Sequence, residues 1–429
     1  GVLVMSFNEW KEVKLEDVVD TISKRHKFDK DKIILINTSD VLEGKVLNHE
    51  YVQNENLKGQ FKKSFQKNDI LYSEIRPQNK RFAYVDFQSD DYVASTKLMV
   101  LRKKNEMITS NFLYQILKSD DLINELQVIA ESRSGTFPQI TYNELSRMKI
   151  KLPPLDEQKA IAHILSTLDD KIEVNNQINK TLENMAQAIF KQWFVDFEFP
   201  NEEGEPYKSS GGEMFESELG MIPKGWEVKK SSDIANVNIG KTPPRKEKEC
   251  FTLDPDDYKW ISIKDLGNSG AYIFDSSEYL TKESIEKYNV KVVPDNTVVL
   301  SFKLTIGRVS ITCGQMTTNE AIAHFNLSNK SKITTEYLYL YLKGFDYGKL
   351  GNTSSIANAV NSKIIKSMPI IVPDNKTIKT FSEVMESVFS KIKYTIKQSD
   401  KLIEIRDSLL PKLMSGEIRV PLDEEGIVS

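Results

Sequence analysis

Seven basic residues stand between positions 58 and 81: Lys58, Lys62, Lys63, Lys67, Arg76, Lys80 and Arg81, against Asp69 and Glu74. Gln78 and Asn79 lie among them, and Tyr72 and Phe82 flank them. Lysine and arginine contact phosphate oxygens, while arginine, asparagine and glutamine can bond base edges in pairs. The stretch therefore has the chemistry of nucleic-acid recognition. Farther along, LSFKLTIGRVSI carries Lys303 and Arg308, and NIGKTPPRKEK carries Lys241, Thr242, Arg245, Lys246 and Lys248. A third pair of stretches, SRSGTFPQI and GNTSSIANAV, offers Arg133 and Gln139, then Asn352, Ser354 and Asn358. Any one of these runs alone reads as an ordinary solvated face. Their recurrence at equivalent places in a duplicated chain favours a binding surface.

Catalytic patterns do not accompany them. A DNA methyltransferase calls for a glycine-rich cofactor loop and an Asn/Asp-Pro-Pro-Tyr/Phe motif, and Asp254-Pro255-Asp256-Asp257-Tyr258 is only a superficial echo of it. A nuclease needs a split set of carboxylates with a lysine, and these acids are too closely spaced. His26, His49, His163 and His324 are scattered and Cys250 and Cys313 lie far apart, so no zinc spacing is present. No phosphate-binding P-loop occurs. The expectation is a chain that recognises and does not catalyse, with no cofactor and no metal of its own.

At 429 residues, 28% charged and 39% hydrophobic, the chain has room for two or three globular domains. No apolar run reaches membrane-spanning length, and GVLV at the start resembles neither a signal nor a transit peptide. Two cysteines fit a reducing compartment, so a cytoplasmic location is expected. A net charge of −4 gives no global attraction to nucleic acid, which confines any such surface to local patches.

The element that must position these patches is a long helix. After Pro153-Pro154, apolar residues recur at Ile161, Leu165, Leu168 and Ile172, then at Leu182, Ala186, Ile189 and Trp193, with Asn175 and Asn179 between. These alternating steps of four and three are the coiled-coil repeat. Asp156 is the expected cap. Shifted by 220 residues, the same seam recurs as Phe381, Met385, Val388, Ile392, Thr395, Ser399, Leu402, Arg406, Leu409 and Leu413. Both seams turn polar at the same two steps, and polar seam residues fix register at some cost in stability. Asn175, Asn179, Thr395 and Ser399 are therefore the expected register set.

The globular parts repeat as well. Asp17 follows Trp10 at the spacing with which Asp233 follows Trp226; LINTSDV is answered by WISIKDL, NDILYS by NTVVLS, and ITSNFLYQILKS by ITTEYLYLYLKG. Each copy mixes strands with helical segments, which indicates an α+β fold built on a curved, mostly antiparallel sheet. The expected order is a first domain at 1–152, a helix at 153–195, a linker at 196–222, a second domain at 223–373, a helix at 374–416 and a tail at 417–429. An antiparallel intramolecular coiled coil then gives a pseudo-twofold chain, suited to two half-sites on duplex DNA.

The helix start LPPLDEQKAIA, the GKTP loop, the IGRV strand and the duplicated layout resemble the specificity subunit of a Type I restriction–modification enzyme. The resemblance covers nearly the whole chain. It implies that each copy is a target recognition domain reading one half of a bipartite, asymmetric site on double-stranded DNA. It further implies that the two helices set the gap and dock two methyltransferase subunits, with restriction/translocase subunits joining the complex. Those partners would use S-adenosylmethionine, ATP and Mg2+, and none would be bound by this chain. TISKRHKF stands where copy one should carry GKTP, and VPDNKTIKTF replaces LPPLDEQKAI in copy two. Two alternatives are a self-contained diverged methyltransferase or nuclease, and a coiled-coil protein adaptor without DNA readout.

Overall fold

The structure, a computed structural model, describes residues 9–55, 57, 59–132, 137–328, 330–350 and 360–421. The chain forms two compact units, residues 1–172 with 401–429, and residues 173–400.

In the first unit, Lys11–Lys14 pairs antiparallel with Lys149–Leu152, so the strand that opens the domain lies beside the one that leaves it. Two four-stranded sheets lie between them in sequence. One has the order Val52–Gln53, Lys32–Ile36, Tyr92–Ser95, Phe61–Lys63, and the other Val19–Thr21, Leu98–Lys103, Ile70–Ser73, Phe82–Tyr84. The sequence pattern predicts a single curved sheet. The ladder slips between Ala94 and Ser95, and the chain leaves one sheet there and enters the other at Leu98. Such an irregularity kinks a strand and ends its pairing. Among the described residues all but one of these ladders are antiparallel, the exception joining Tyr92–Ala94 to Ile34–Ile36.

The helical stretch after Thr109 is also divided. Thr109 caps Ser110–Leu117 by accepting from Phe112 N at 3.2 Å, and a second helix, Asp120–Ser132, starts two residues after Lys118. Asp120 and Asp121 favour that new positive end. Phe112, Leu113, Leu126 and Leu101 form the core with Ile161, Leu165 and Leu413 from the long helices.

The first long helix runs Leu155–Phe194 without interruption, about 60 Å at 1.5 Å per residue. Asp156 lies inside its first turn rather than at the cap. Gln158, fully buried, accepts from Thr109 N at 3.0 Å and donates to Met107 O and Pro153 O at 2.8 and 2.9 Å. Glu157 accepts from the Trp10 indole at 3.1 Å. The acidic and amide residues of LPPLDEQ are thus anchors of the helix to its own domain. Farther along, Lys118 and Arg406 both contact Asp169, Arg406 Nη1 at 2.9 Å. Burial pulls the Lys118 pKa down against the opposing effect of Asp169.

The second unit repeats the plan. Glu227–Lys230 pairs antiparallel with Pro369–Val372. A five-stranded sheet has the order Ala235–Ile239, Ile322–Leu327, Val298–Ser301, Val309–Thr312, Tyr272–Ile273; a four-stranded one joins Phe251–Thr252, Tyr279–Leu280, Tyr258–Ile261 and Thr317–Thr318. The second long helix, Asn375–Ser415, is capped by Asp374, which accepts from Thr377 N at 2.9 Å and from the Trp226 indole at 3.0 Å. The 196–222 stretch, read as a linker, is packed and partly paired. Met214–Ser217 and Gly220–Pro223 form a hairpin, and Phe199 stacks between Tyr207 and Trp226 at 4.6 and 5.0 Å.

Within this unit the two helices run antiparallel. Asn175 donates to Ser399 Oγ at 3.2 Å and to Gln398 Oε1 at 3.0 Å, while Thr395 donates to Asn179. The four polar seam residues are buried as two cross-helix pairs. Ala186, Phe381, Met385 and Ile392 fill the seam beside them.

Candidate nucleic-acid interface

The two basic stretches around Arg76 and Lys303 occupy the same hairpin of the fold. In the first domain, Ile70–Ser73 leads through a loop to Phe82–Tyr84; in the second, Val298–Ser301 leads through a loop to Val309–Thr312. The closing bonds match. Ser73 N donates to Arg81 O at 2.8 Å and Glu74 N to Lys97 O at 3.0 Å; Ser301 N donates to Arg308 O at 2.9 Å and Phe302 N to Ala321 O at 2.9 Å. Both loops therefore leave and rejoin the sheet at equivalent points.

The arginine that ends each loop is turned inward. Arg81 Nη1 donates to Ser39 O at 3.0 Å, and Arg308 Nη1 to Ile263 O at 2.6 Å. Each carbonyl belongs to a short turn whose first residue is bonded by its own aspartate, Asn37 by Asp40 and Ser262 by Asp265. Gly267 leaves the space that Arg308 fills, since a Cβ there would stand 2.3 Å from the guanidinium. These arginines hold the loop base. The signal was present in the aligned pairs LINTSDV/WISIKDL and in the matched arginines, but only the fold joins them.

The remaining candidates separate into exposed and engaged groups. Arg76, Gln78, Asn79 and Lys62 are exposed, and Gln139 is exposed beside the loop, bridged to Ile75. Lys80 pairs with Asp120 at 2.8 Å. Lys63 is half-buried, its ammonium donating to Thr96 O and Leu98 O at 3.0 and 2.8 Å, and burial lowers its pKa. Lys303 is exposed, with its ammonium 5.5 Å from the Phe302 ring centroid. Arg133, Asn352, Ser354 and Asn358 lie outside the described residues.

The GKTP loop lies along the edge of the second domain. Lys241 N donates to Thr318 O at 2.9 Å, and the Trp260 indole donates to Lys241 O at 3.3 Å. A Cβ on Gly240 would meet Asn319 O at 2.2 Å, so the close backbone approach requires glycine there. Thr242 bonds Glu320. Arg245 forms a bidentate pair with Glu278 at 2.9 Å on both nitrogens and lies over Phe251 and Trp260, 4.2 and 4.7 Å from their centroids. The Glu278 bond raises its pKa. Lys241 and Lys246 are exposed.

Among the described residues no group of His, Cys, Asp and Glu could hold a metal ion, and no helix is long and apolar enough to cross a membrane. Asp254 accepts from Asp256 N at 3.0 Å, which makes the Asp-Pro-Asp sequence a local turn. His163 is exposed on its helix.

A family model described as "Type I restriction modification DNA specificity domain" matches the chain twice, over residues 8–184 and 223–405. The Type I restriction enzyme HindI specificity subunit of Haemophilus influenzae is 34% identical over 96% of this chain and 100% of that protein. The MjaIX specificity subunit of Methanocaldococcus jannaschii is 30% identical over 73% of this chain and 70% of its own length. The Type-I restriction-modification system S subunit from M. genitalium has the same fold, with a TM-score of 0.56 at 16% identity, covering 96% of this chain and 97% of that one. Each duplicated half thus carries its own match to the pattern, and the chain belongs to the Type I restriction–modification DNA specificity family.

Proposed function

We propose that this chain is the DNA-recognition subunit of a Type I restriction–modification complex. Each domain reads one half of a bipartite, asymmetric site on double-stranded DNA. The long helices set the gap between the halves and dock two methyltransferase subunits, and restriction/translocase subunits join them. The chain catalyses nothing itself; S-adenosylmethionine, ATP and Mg2+ serve its partners.

The observation that carries this reading is the doubled hairpin. Two domains of different loop sequence keep one loop frame, each closed by an inward arginine, Arg81 and Arg308. A fixed frame with variable side chains is what two unlike half-sites require, since phosphate contacts position a protein while base contacts specify sequence. The test is co-expression with the cognate methyltransferase in a methylation-free host, followed by genome-wide mapping of methylated bases. The expected result is one bipartite motif with a constant gap. Methyl transfer by the purified chain alone, or no motif with the partner present, overturns the reading.

A further inference from the structure

The loop tips of the two hairpins share an unusual backbone. Counting from the equivalent residues Ser73 and Ser301, the third position is Arg76 in one domain and Leu304 in the other, and both have positive φ, 44° and 61°. Side chains rarely adopt this region, which glycine enters freely. Strain of this kind persists only where surrounding contacts over-determine it, and it collects at functional sites.

The surrounding contacts are present in both loops. Thr305 N donates to Lys303 O at 2.7 Å, closing a three-residue turn around Leu304, and Ser301 Oγ donates to Thr305 O at 2.6 Å. Leu304 is left 84% exposed. In the first domain Arg76 N donates to Pro138 O at 3.0 Å. Its guanidinium lies 5.5 Å from the centroid of the Phe137 ring, itself 60% exposed. A single exposed leucine is ordinary. A leucine and an arginine held in strained backbone at the same place in two copies of one loop are not.

Resting on the proposed reading of DNA, we propose that this tip is a base-reading position in both domains. Arg76 bonds O6 and N7 of a guanine in the first half-site, and Leu304 packs on the C5-methyl of a thymine in the second. Arginine supplies the two parallel donors that a guanine edge accepts, and an apolar side chain matches only the thymine methyl. The Phe137 ring holds the guanidinium plane for that contact. One frame with two different tips would make the two half-sites unlike.

The test uses the full chain assembled with its methyltransferase subunits and duplexes carrying the mapped site. Each guanine of the first half-site is replaced in turn by 7-deazaguanine, which lacks N7, and each thymine of the second by deoxyuridine, which lacks the methyl. Wild-type complex should lose about tenfold in affinity at one 7-deazaguanine position. It should lose about fourfold at one deoxyuridine position, the worth of a buried methyl. Arg76→Ala should abolish the first sensitivity alone, and Leu304→Ala the second alone. Leu304→Gly should also lose the second while melting no lower than wild type, because glycine relieves the positive φ; this separates lost readout from misfolding. No sensitive position in the wild type, or sensitivity that survives in the variants, overturns the inference. A wild-type complex with no sequence preference overturns instead the proposed function beneath it.

Discussion

Arg419 grips Glu157 through two hydrogen bonds, Nε to Oε1 at 2.6 Å and Nη2 to Oε2 at 2.7 Å, across 262 residues of sequence. Glu157 also accepts the Trp10 indole at 3.1 Å, so one buried carboxylate holds the start of the first domain, the start of the first long helix and the segment after the second. The sequence reads residues 417–429 as a tail, yet Val420 there is only 4% exposed, and Gly416, just before it, lies against the Trp10 ring.

Removing Glu157 should therefore destabilise the first unit. Glu157→Ala leaves a guanidinium and an indole without their acceptor, a loss of about 2–3 kcal/mol. Trp10→Phe removes one neutral-to-charged bond and should cost less, about 1–2 kcal/mol. Chemical denaturation of the assembled complex gives both values, and a Glu157→Ala complex as stable as wild type would contradict the anchor role.

Arg308 should behave as a loop anchor. Arg308→Ala frees the Ile263 carbonyl and opens space beside Gly267, a loss of about 1–2 kcal/mol in stability. Methylation mapping should show degraded specificity in the second half-site with the first unchanged. Arg308→Lys should rescue little, because the fixed fork is what reaches the carbonyl. A phosphate-contact role predicts instead a uniform loss of affinity and a smaller salt dependence.

His324 gives the second unit a pH dependence. It is 3% exposed and hydrogen-bonded to Thr318, and burial lowers its pKa to about 4 from 6.5. The unfolded chain takes up a proton near pH 6.5, the folded chain only near pH 4. The contribution is therefore complete above about pH 6.5 and lost as pH falls toward 4, about 3 kcal/mol in all. Denaturation midpoints between pH 4.5 and 7 should fall with acidity less steeply in His324→Asn than in wild type. Equal slopes would remove His324 as the cause.

The helix register is open to a length test. Four residues inserted at matching places in both long helices add about 6 Å of rise. At about 3.4 Å per base pair, the gap in the recognised motif should grow by one or two pairs with both half-site sequences kept. Insertion into one helix alone misaligns Asn175 with Ser399 and Asn179 with Thr395 and should weaken assembly. A functional matched insertion that keeps the original gap contradicts the spacing role.

The two long helices, the duplication and the alternation of strand with helix were legible along the chain because each is a periodicity. A seam with steps of four and three needs no knowledge of its partner, and a repeat offset by 220 residues is visible before either copy is folded. The polar steps Asn175, Asn179, Thr395 and Ser399 were found this way, and they do meet across the helices. The binding face was legible only as composition. Whether a lysine or arginine meets solvent depends on carbonyls and carboxylates distant in sequence: Lys63 donates to Leu98 O, Arg245 pairs with Glu278, and Arg308 reaches back to Ile263. Nor could the residues foretell that the chain changes sheets at Ser95, or that Arg419 would return to Glu157. Those outcomes rest on pairings made in three dimensions, where a hydrogen-bond partner is fixed by the packing of whole elements and leaves no spacing behind in the sequence.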